Sequence, residues 1–351
     1  MPVNTLGFQT HRDHFAIDFE REHLNQRFKE FRDTRRADDE IKQNYELKDN
    51  RDWKVETARK QIRLEENWEK WLISCLYRPF DWRPCYFSTV AMDYPRTVLQ
   101  QNMTKENLSL LCSRQQATLG FHHVWCADAP ANDCVISTTS REANQVFPLY
   151  IYPNTKNQQG NLFVEKSPNF SSDFITAIRE KLGYIPTPEA IFYYIYAIFH
   201  SPTYRQRYAE FLKIDFPRVP LTSNDQLFKD LGAKGQALVD LHLMKSKKLN
   251  KLITKMNGDG DNAVTEVTYK PAEQRVYINK TRYFEGIAPE VWEFKIGGYQ
   301  VLDKWLKDRK KAKRTLSFDD VLHYQKVVIA LKETMQLMVE IDQLIPGFPI
   351  E

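Results

Sequence analysis

One stretch limits the possible folds of this chain more than any other. The run Ala190–Phe199 is apolar around nearly its whole helical circumference, and Thr187-Pro188-Glu189 places a proline at a first helical position. A helix that is apolar on every side has to be buried. The run is about half as long as a membrane-spanning helix requires. It therefore predicts a core helix surrounded by other elements, and 351 residues can supply them as two packed subdomains or one large mixed domain.

The rest of the chain mixes helical and strand patterns, and the predicted fold class is α+β. Charged helices over 20–36 and 53–76 form a helical N-terminal segment, residues 1–76, in which Phe15–Phe19 is read as a short strand. The second predicted domain, 77–351, is β-rich over 77–153, mainly helical over 171–256, stranded over 264–296 and helical again over 299–344. The predicted strands of this second domain are Cys85–Thr89, Leu108–Ser113, His122–Ala127, Cys134–Ser137, Phe147–Tyr152, Val264–Tyr269, Arg275–Ile278 and Val291–Ile296.

Composition points to an intracellular location and restricts any nucleic-acid surface to a local patch. The net charge is only +4 and the isoelectric point is about 8.6, which is too weakly basic for a chain whose whole surface holds nucleic acid. Five cysteines without C-x-x-C spacing indicate neither a disulfide framework nor a zinc site. The first residues contain no apolar signal segment. The prediction is a cytoplasmic protein without membrane contact.

Motifs for catalysis are missing from the sequence. It has no phosphate-binding loop, no dinucleotide fingerprint, no nucleophile elbow and no H-E-x-x-H. It also lacks the Asp/Asn-Pro-Pro-aromatic loop with which amino-methylating DNA methyltransferases hold a flipped base. Asn257–Asn262 resembles a calcium loop, but Asn262 and Thr268 occupy positions that need Gly and Glu. We predict no catalytic residue, metal site or cofactor in this chain.

Several basic and amide side chains are candidates for DNA contacts. The basic run Lys304–Arg314 and the segment 78–96 are candidates for phosphate contacts, although a solvated helix end or surface ion pairs explain such residues as well. Arg and Gln at the end of a predicted strand suit the edges of guanine and adenine. If both basic segments bind DNA, they should border one concave, positively charged surface. The predicted DNA-binding residues are Arg78, Arg83, Arg96, Arg114, Gln115, Lys304, Lys307, Arg309 and Lys310.

The glycine pair Gly297-Gly298 leaves three alternatives open. Without a Cβ atom, this backbone can approach a phosphate or a neighbouring strand closely. A simple turn from strand to helix explains the pair equally well.

Eight sequence blocks carry a resemblance to a known family. The blocks are Gln9–Asp13, Tyr77–Asp81 with Arg83, Phe147–Tyr152, Pro188–Ala197, His200–Arg205, Ile214–Pro220, Trp292–Arg309 and His323–Gln325. Together they resemble the C-terminal specificity region of type ISP restriction–modification enzymes, over nearly the whole chain. The resemblance implies a target-recognition domain that reads an asymmetric site in double-stranded DNA, with residues 1–76 as a helical coupler.

The same resemblance assigns the chemistry to other domains of the enzyme. In this family a nuclease, a translocating ATPase and an adenine methyltransferase precede the specificity region. They would be the partners of this chain, and S-adenosylmethionine, ATP and Mg²⁺ would belong to them. Two alternatives stay open: a self-contained metal-dependent nuclease centred on Glu293 and Lys295, and a subunit-docking protein that never meets DNA.

Overall fold

The apolar run from Ala190 forms the predicted buried helix, Pro188–His200, and most of its residues are inaccessible to solvent. The Thr187 side chain caps its start by accepting a hydrogen bond from the Ala190 N–H at 3.2 Å. The helix packs against two further helices, Asp225–His242 and Phe318–Leu344. At the crossing with the first of them, Gly235 brings the two backbones so close that a Cβ would lie 1.8 Å from the Tyr193 carbonyl oxygen.

The computed structural model describes residues 1–118, 120–138, 142–153 and 165–350, and its fold class is α+β. The strands are β1 Thr5–Leu6, β2 Leu72–Arg78, β3 Asp81–Tyr86, β4 Ser109–Ser113, β5 Val124–Ala127, β6 Asn144–Pro148, β7 Tyr150–Ile151, β8 Ser167–Pro168, β9 Lys255–Asn257, β10 Thr268–Lys270, β11 Arg275–Tyr277, β12 Tyr283–Glu285, β13 Lys295–Ile296 and β14 Tyr299–Gln300. The α-helices are α1 Asp13–Ala16, α2 Arg21–Arg32, α3 Asp38–Asn44, α4 Val55–Leu64, α5 Thr97–Asn102, α6 Ser172–Leu182, α7 Pro188–His200, α8 Pro202–Arg207, α9 Ala209–Leu212, α10 Asp225–His242, α11 Pro289–Trp292, α12 Val301–Lys311 and α13 Phe318–Leu344. None of these described helices is both long and apolar enough to cross a lipid bilayer.

A four-stranded antiparallel sheet in the order β1-β6-β4-β5 positions the candidate site. At one edge of this sheet, Ser113 at the end of β4 pairs with Asn144 at the start of β6, and Cys112 pairs with Val124 at the start of β5. The segment after β4 and the segments before β5 and β6 therefore meet at the same end. We call this the loop end of the sheet.

The N-terminal helices pack directly on the hairpin of β2 and β3. Phe28 of α2 stacks on Tyr86 of β3 with ring centroids 3.9 Å apart, and Phe15 lies 4.9 Å from Phe28. The domain boundary predicted between residues 76 and 77 falls inside β2, and buried side chains on both sides of it belong to one continuous core. A second four-stranded sheet, β10-β11-β12-β9, lies further along the chain.

Several of the predicted elements differ from the structure in type or extent, and four of them have a clear local reason. Phe15–Phe19 begins as the helical turn α1, because the N–H groups of Phe15 and Ala16 both bond to the Arg12 carbonyl. The helix predicted to reach residue 76 ends at Leu64, since the following apolar residues pair with β3 instead. Val135 and Ile136 are buried without forming a ladder, and a proline at a first helical position turns the start of the predicted strand Val291–Ile296 into α11.

Candidate functional site

Asp81, in β3, is the centre of a buried ion-pair network. Its two carboxylate oxygens accept hydrogen bonds from Arg83 at 2.6 Å and from Arg309 at 2.8 Å, and only 2% of its side chain is exposed. Burial acts to raise the pKa of Asp81, but the charges of Arg309 and Arg83 outweigh it and lower that pKa below its usual range. Both arginines are therefore committed to an internal carboxylate.

Aromatic rings close this network from two sides. The guanidinium of Arg83 lies 4.0 Å and that of Arg309 5.1 Å from the centre of the Phe19 ring. Arg309 also lies 3.5 Å from the centre of the Trp305 ring. Of the predicted phosphate contacts, Arg83 and Arg309 are thus built into the core.

Arg78 is a third buried member of the predicted set. Its guanidinium donates to the side-chain oxygen of Asn132 at 3.0 Å and lies 4.0 Å from the centre of the Tyr77 ring. Arg78 is only 8% exposed. In this structure it joins β2 to the segment before β6 and does not face solvent.

The two basic segments do come together, but the cleft beside them is acidic. Asp81 and Arg309 join the segments, and the adjoining cleft has a volume of about 700 Å³. Four carboxylates line it, against Arg309 and His323; they are Asp81, Asp128, Asp319 and Asp320. The prediction of a shared positively charged surface is wrong, because the buried arginines of the two segments pair with internal partners.

Lys304, Lys307 and Lys310 lie on α12 and are more accessible than Arg309. Lys304 pairs with Asp308, and Lys307 pairs with Asp303 at 2.7 Å. Lys310 is exposed and has no carboxylate within 4.0 Å among the residues that the structure describes. Helical geometry therefore divides the run into a buried Arg309, a half-buried Lys304 and the exposed Lys307 and Lys310.

The Arg96 side chain is partly buried and partly exposed. It has a positive φ of 64°, donates to the side-chain oxygen of Gln9 at 3.1 Å and lies 4.8 Å from the centre of the Tyr94 ring. This geometry orders Arg96 against the N-terminal segment and leaves part of it accessible.

Arg114 and Gln115 are both exposed at the loop end of the sheet. Arg114 is 67% exposed and its only ion-pair partner in the described part of the chain is Asp215, at 3.4 Å. The next residue, Gln116, anchors the segment by donating to the Leu212 carbonyl at 2.6 Å and, through its backbone N–H, to the Lys213 carbonyl at 3.2 Å. The guanidinium of Arg114 and the amide of Gln115 are therefore exposed on a backbone whose position is fixed by the hydrogen bonds of Gln116.

Glu142, which the sequence did not single out, holds the other side of this segment. It is fully buried, and one carboxylate oxygen accepts the backbone N–H groups of Ala117 at 2.6 Å and Thr118 at 2.7 Å. The other oxygen accepts the Ser137 hydroxyl at 2.6 Å and lies 3.4 Å from His123. Burial acts to raise the pKa of Glu142, but the hydrogen bonds that it accepts have the larger combined effect and lower this pKa to about 2.

Gly297 and Gly298 approach neighbouring backbone. Gly297 has a positive φ of 56°, and a Cβ there would lie 1.9 Å from the Ile136 carbonyl oxygen. Its N–H donates to the His122 carbonyl at 2.7 Å, and the Gly298 N–H donates to the Ile136 carbonyl at 3.1 Å. Of the alternatives that the sequence leaves open, the pair forms a turn, here between β13 and β14 instead of from a strand into a helix. It also closely approaches a neighbouring segment, which is not a strand. The glycine pair thus holds the loop end in place.

No group of three or more His, Cys, Asp or Glu side chains within the described ranges is arranged to hold a metal ion. Glu293 is exposed at the end of α11, and Lys295 is exposed on the short strand β13.

The family model of the Type ISP C-terminal specificity domain matches residues 1–340. The chain belongs to this family. No curated protein sequence gives a significant match.

Three solved structures share the fold of this Type ISP specificity domain. The ATP-dependent Type ISP restriction–modification enzyme LlaBIII, bound to DNA, superposes with a TM-score of 0.72 at 20% identity over 99% of this chain. A nuclease-deletion mutant of the Type ISP enzyme LlaGI, in complex with a DNA substrate mimic, gives 0.68 at 19% identity over 100% of the chain. The DrdV–DNA complex gives 0.69 at 20% identity over 99% of the chain.

The specificity domain is much shorter than the proteins it resembles. It spans 23% of the LlaBIII chain, 33% of the LlaGI chain and 36% of the DrdV chain. At these identities the likeness shows the fold, and the catalytic parts of Type ISP enzymes are other domains.

Proposed function

We propose that this chain is the DNA target-recognition domain of a Type ISP restriction–modification enzyme. The observation that carries the proposal is the family match over residues 1–340. The LlaBIII, LlaGI and DrdV structures, which share the fold, each contain DNA or a DNA mimic. Double-stranded DNA is accordingly the proposed ligand, and the methyltransferase and nuclease–translocase domains of the same enzyme are the proposed partners.

The mechanism is binding. Lysines such as Lys307 and Lys310 contact phosphates and fix the register on the duplex, while Arg114 and Gln115 read base edges in a groove. The chain carries out no chemistry by itself, and it works in the cytoplasm. S-adenosylmethionine, ATP and Mg²⁺ serve the other domains, where an adenine is flipped out of the duplex for methylation.

The site geometry changes which of the predicted residues we assign to DNA. Arg78, Arg83 and Arg309 already have buried partners, so they support the scaffold in this proposal. The loop end is the proposed reading edge, because it exposes Arg114 and Gln115 on a backbone that Glu142 and Gln116 hold from two sides.

The proposal is tested by selecting duplexes with a randomised central segment on the purified chain. One asymmetric sequence should be enriched. Arg114→Ala and Gln115→Ala should then weaken binding to that sequence by roughly 1–3 kcal/mol and leave random duplexes nearly unaffected. Lys307→Gln with Lys310→Gln should instead weaken both duplexes about equally, since phosphates are the same in every sequence.

The two alternatives predict other results in the same experiment. A subunit-docking protein would enrich no sequence and show no salt-dependent affinity for DNA. A self-contained nuclease would cut the selected duplex when Mg²⁺ is added, and Glu293→Gln would abolish the cutting.

A further inference from the structure

A cationic surface that contains none of the predicted contacts lies where α2 ends beside α4. It is an open cleft of about 640 Å³, which we call the arginine cleft. Its lining contains five cationic side chains and two carboxylates. The lining residues are Gln26, Lys29, Glu30, Arg32, Asp33, Thr34, Arg35, Arg36 and Arg63.

The C-terminus of α2 does not need all of these cations. Arg59, which is fully buried, already donates to the carbonyls of Phe31 at 2.8 Å, Asp33 at 2.7 Å and Arg36 at 2.8 Å. Arg63 donates to the Arg32 carbonyl at 3.1 Å. Capping of the helix end therefore explains Arg59 and Arg63, and the other cations require a different explanation.

Lys29 and Arg32 are not neutralised by protein. Neither has a carboxylate within 4.0 Å in the parts of the chain that the structure describes. Arg36, by contrast, pairs with Glu40 at 2.6 Å and lies 3.7 Å from Glu30. Like charges that crowd an open cleft repel one another, so an anionic ligand would be bound there with favourable energy.

Exposure and shape identify the kind of anion. Arg35 is 87% exposed, and its pairing with Asp33 at 2.7 Å is a surface contact that water and ligands can exchange. Among the described residues that line the cleft none is aromatic. Trp68, whose ring centre lies 5.4 Å from the Arg32 guanidinium, is only 5% exposed. The cleft therefore offers guanidinium groups to phosphates but no free ring on which a nucleobase could stack.

We propose that the arginine cleft binds backbone phosphates of duplex DNA and adds affinity without sequence preference. The proposal rests on the DNA-binding function proposed above, and it gives the helical N-terminal segment a contact of its own. Lys29, Arg32 and Arg35 supply the charges, and Arg63 keeps the α2 end in place. These residues lie in α2, α4 and the segment between α2 and α3, outside the loop end that carries Arg114.

The test is a salt titration of DNA affinity for two triple variants of the full chain. The first is Lys29→Gln, Arg32→Gln, Arg35→Gln. The control is Lys181→Gln, Lys229→Gln, Lys332→Gln, which removes the same total charge from exposed positions on α6, α10 and α13. The probes are a random-sequence duplex and the duplex enriched by selection.

In the cleft variant, the slope of log affinity against log salt concentration should be shallower than in the wild type. The slope should change by about 0.9 for each phosphate that the protein no longer neutralises, so the largest change is nearly three units. Its ratio of affinities for the selected and random duplexes should stay unchanged. The control variant should keep the wild-type slope. Thermal melting of all three proteins establishes that the variants are folded at the temperature of the titration.

Equal slopes for the cleft and control variants would overturn the proposal. A wild-type chain that binds neither duplex would instead refute the DNA-binding function itself, so the two failures are distinguishable. A loss of affinity confined to the selected duplex would also overturn the proposal, since it would mean that the cleft reads sequence.

Discussion

Asp81 and Glu142 stabilise different parts of the molecule by the same physical means. Each is a buried carboxylate whose charge is balanced by several donors, and in both cases those donors lower its pKa against the effect of burial. Asp81 joins β3 to α12, whereas Glu142 holds the segment that follows β4. Removing either acceptor leaves buried donors without a partner, so both should matter for stability. Only Glu142 lies beside the proposed base-reading residues.

We therefore expect Glu142→Ala to reduce sequence discrimination, because the Ala117 and Thr118 N–H groups lose the acceptor that positions the backbone next to Arg114 and Gln115. The ratio of affinities for selected and random duplexes should fall roughly 10-fold, equivalent to about 1.4 kcal/mol, while the salt slope stays constant. Equilibrium binding below the unfolding temperature measures both quantities.

Asp81→Ala is the matched control for this change. It should cost about 3–5 kcal/mol of unfolding free energy, because Arg83 and Arg309 would be left buried without a counter-charge. The folded protein should nevertheless keep its discrimination ratio. A ratio that falls equally in both variants would show that Glu142 has only a structural role.

The pairing of α7 with α10 depends on a glycine at the point of closest approach. A Cβ at Gly235 would lie 1.8 Å from the Tyr193 carbonyl oxygen, whereas one at Gly232, a turn earlier, would lie 3.9 Å from the Ala190 carbonyl oxygen. Gly235→Ala should therefore force the helices apart and cost several kcal/mol, on the order of the overpacking penalties seen in cores.

Gly232→Ala, on the same helix, should be neutral or stabilising by about 0.5–1 kcal/mol, because alanine lowers the entropy cost of forming a helix. Urea unfolding of the two variants measures the contrast. Similar free energies of unfolding for both would contradict the close approach seen in the structure.

The core around α7 also makes the stability of the whole molecule depend on pH. His242 is buried, lies 2.6 Å from the Tyr196 hydroxyl and stacks on Trp125 with ring centroids 4.1 Å apart. Burial, with a smaller contribution from the charge of Arg205, lowers the pKa of His242 to about 3. His200, 5.4 Å away, also has a pKa well below its usual range, mainly because of burial.

The unfolded chain takes up protons on these histidines below about pH 6.5, but the folded chain does not. Stability should therefore be constant above that pH and fall as pH decreases toward about 3 for His242. At about pH 5 the loss is roughly 2 kcal/mol for each histidine. Urea unfolding near pH 7.5 and pH 5 should show a drop that is smaller by roughly this amount in His242→Gln. An equal drop in that variant would mean that His242 does not contribute and that other titrating groups, such as His200, cause the pH dependence.

The sequence by itself determined the family and the helices with strong local signals. The resemblance covers most of the chain, and the buried helix α7 follows from its apolar run and the proline at its first position. Helices α6 and α13 lie inside the ranges predicted to be helical. Strands β4 and β5 also lie within their predicted ranges. These features depend on neighbouring residues, so a local pattern is sufficient to predict them.

The tertiary structure alone decided which charged residues are free to bind a ligand. Arg309 and Lys310 are adjacent in one basic run, yet Arg309 is buried against Asp81, 228 residues away, and Lys310 is exposed. Glu142 and the arginine cleft likewise depend on segments that are distant in sequence. A charge is visible in the sequence, but its partner is not. The packing of distant segments sets how far a charged side chain is desolvated and how close its counter-charge lies. These two factors determine whether the side chain stabilises the core or remains available at the surface.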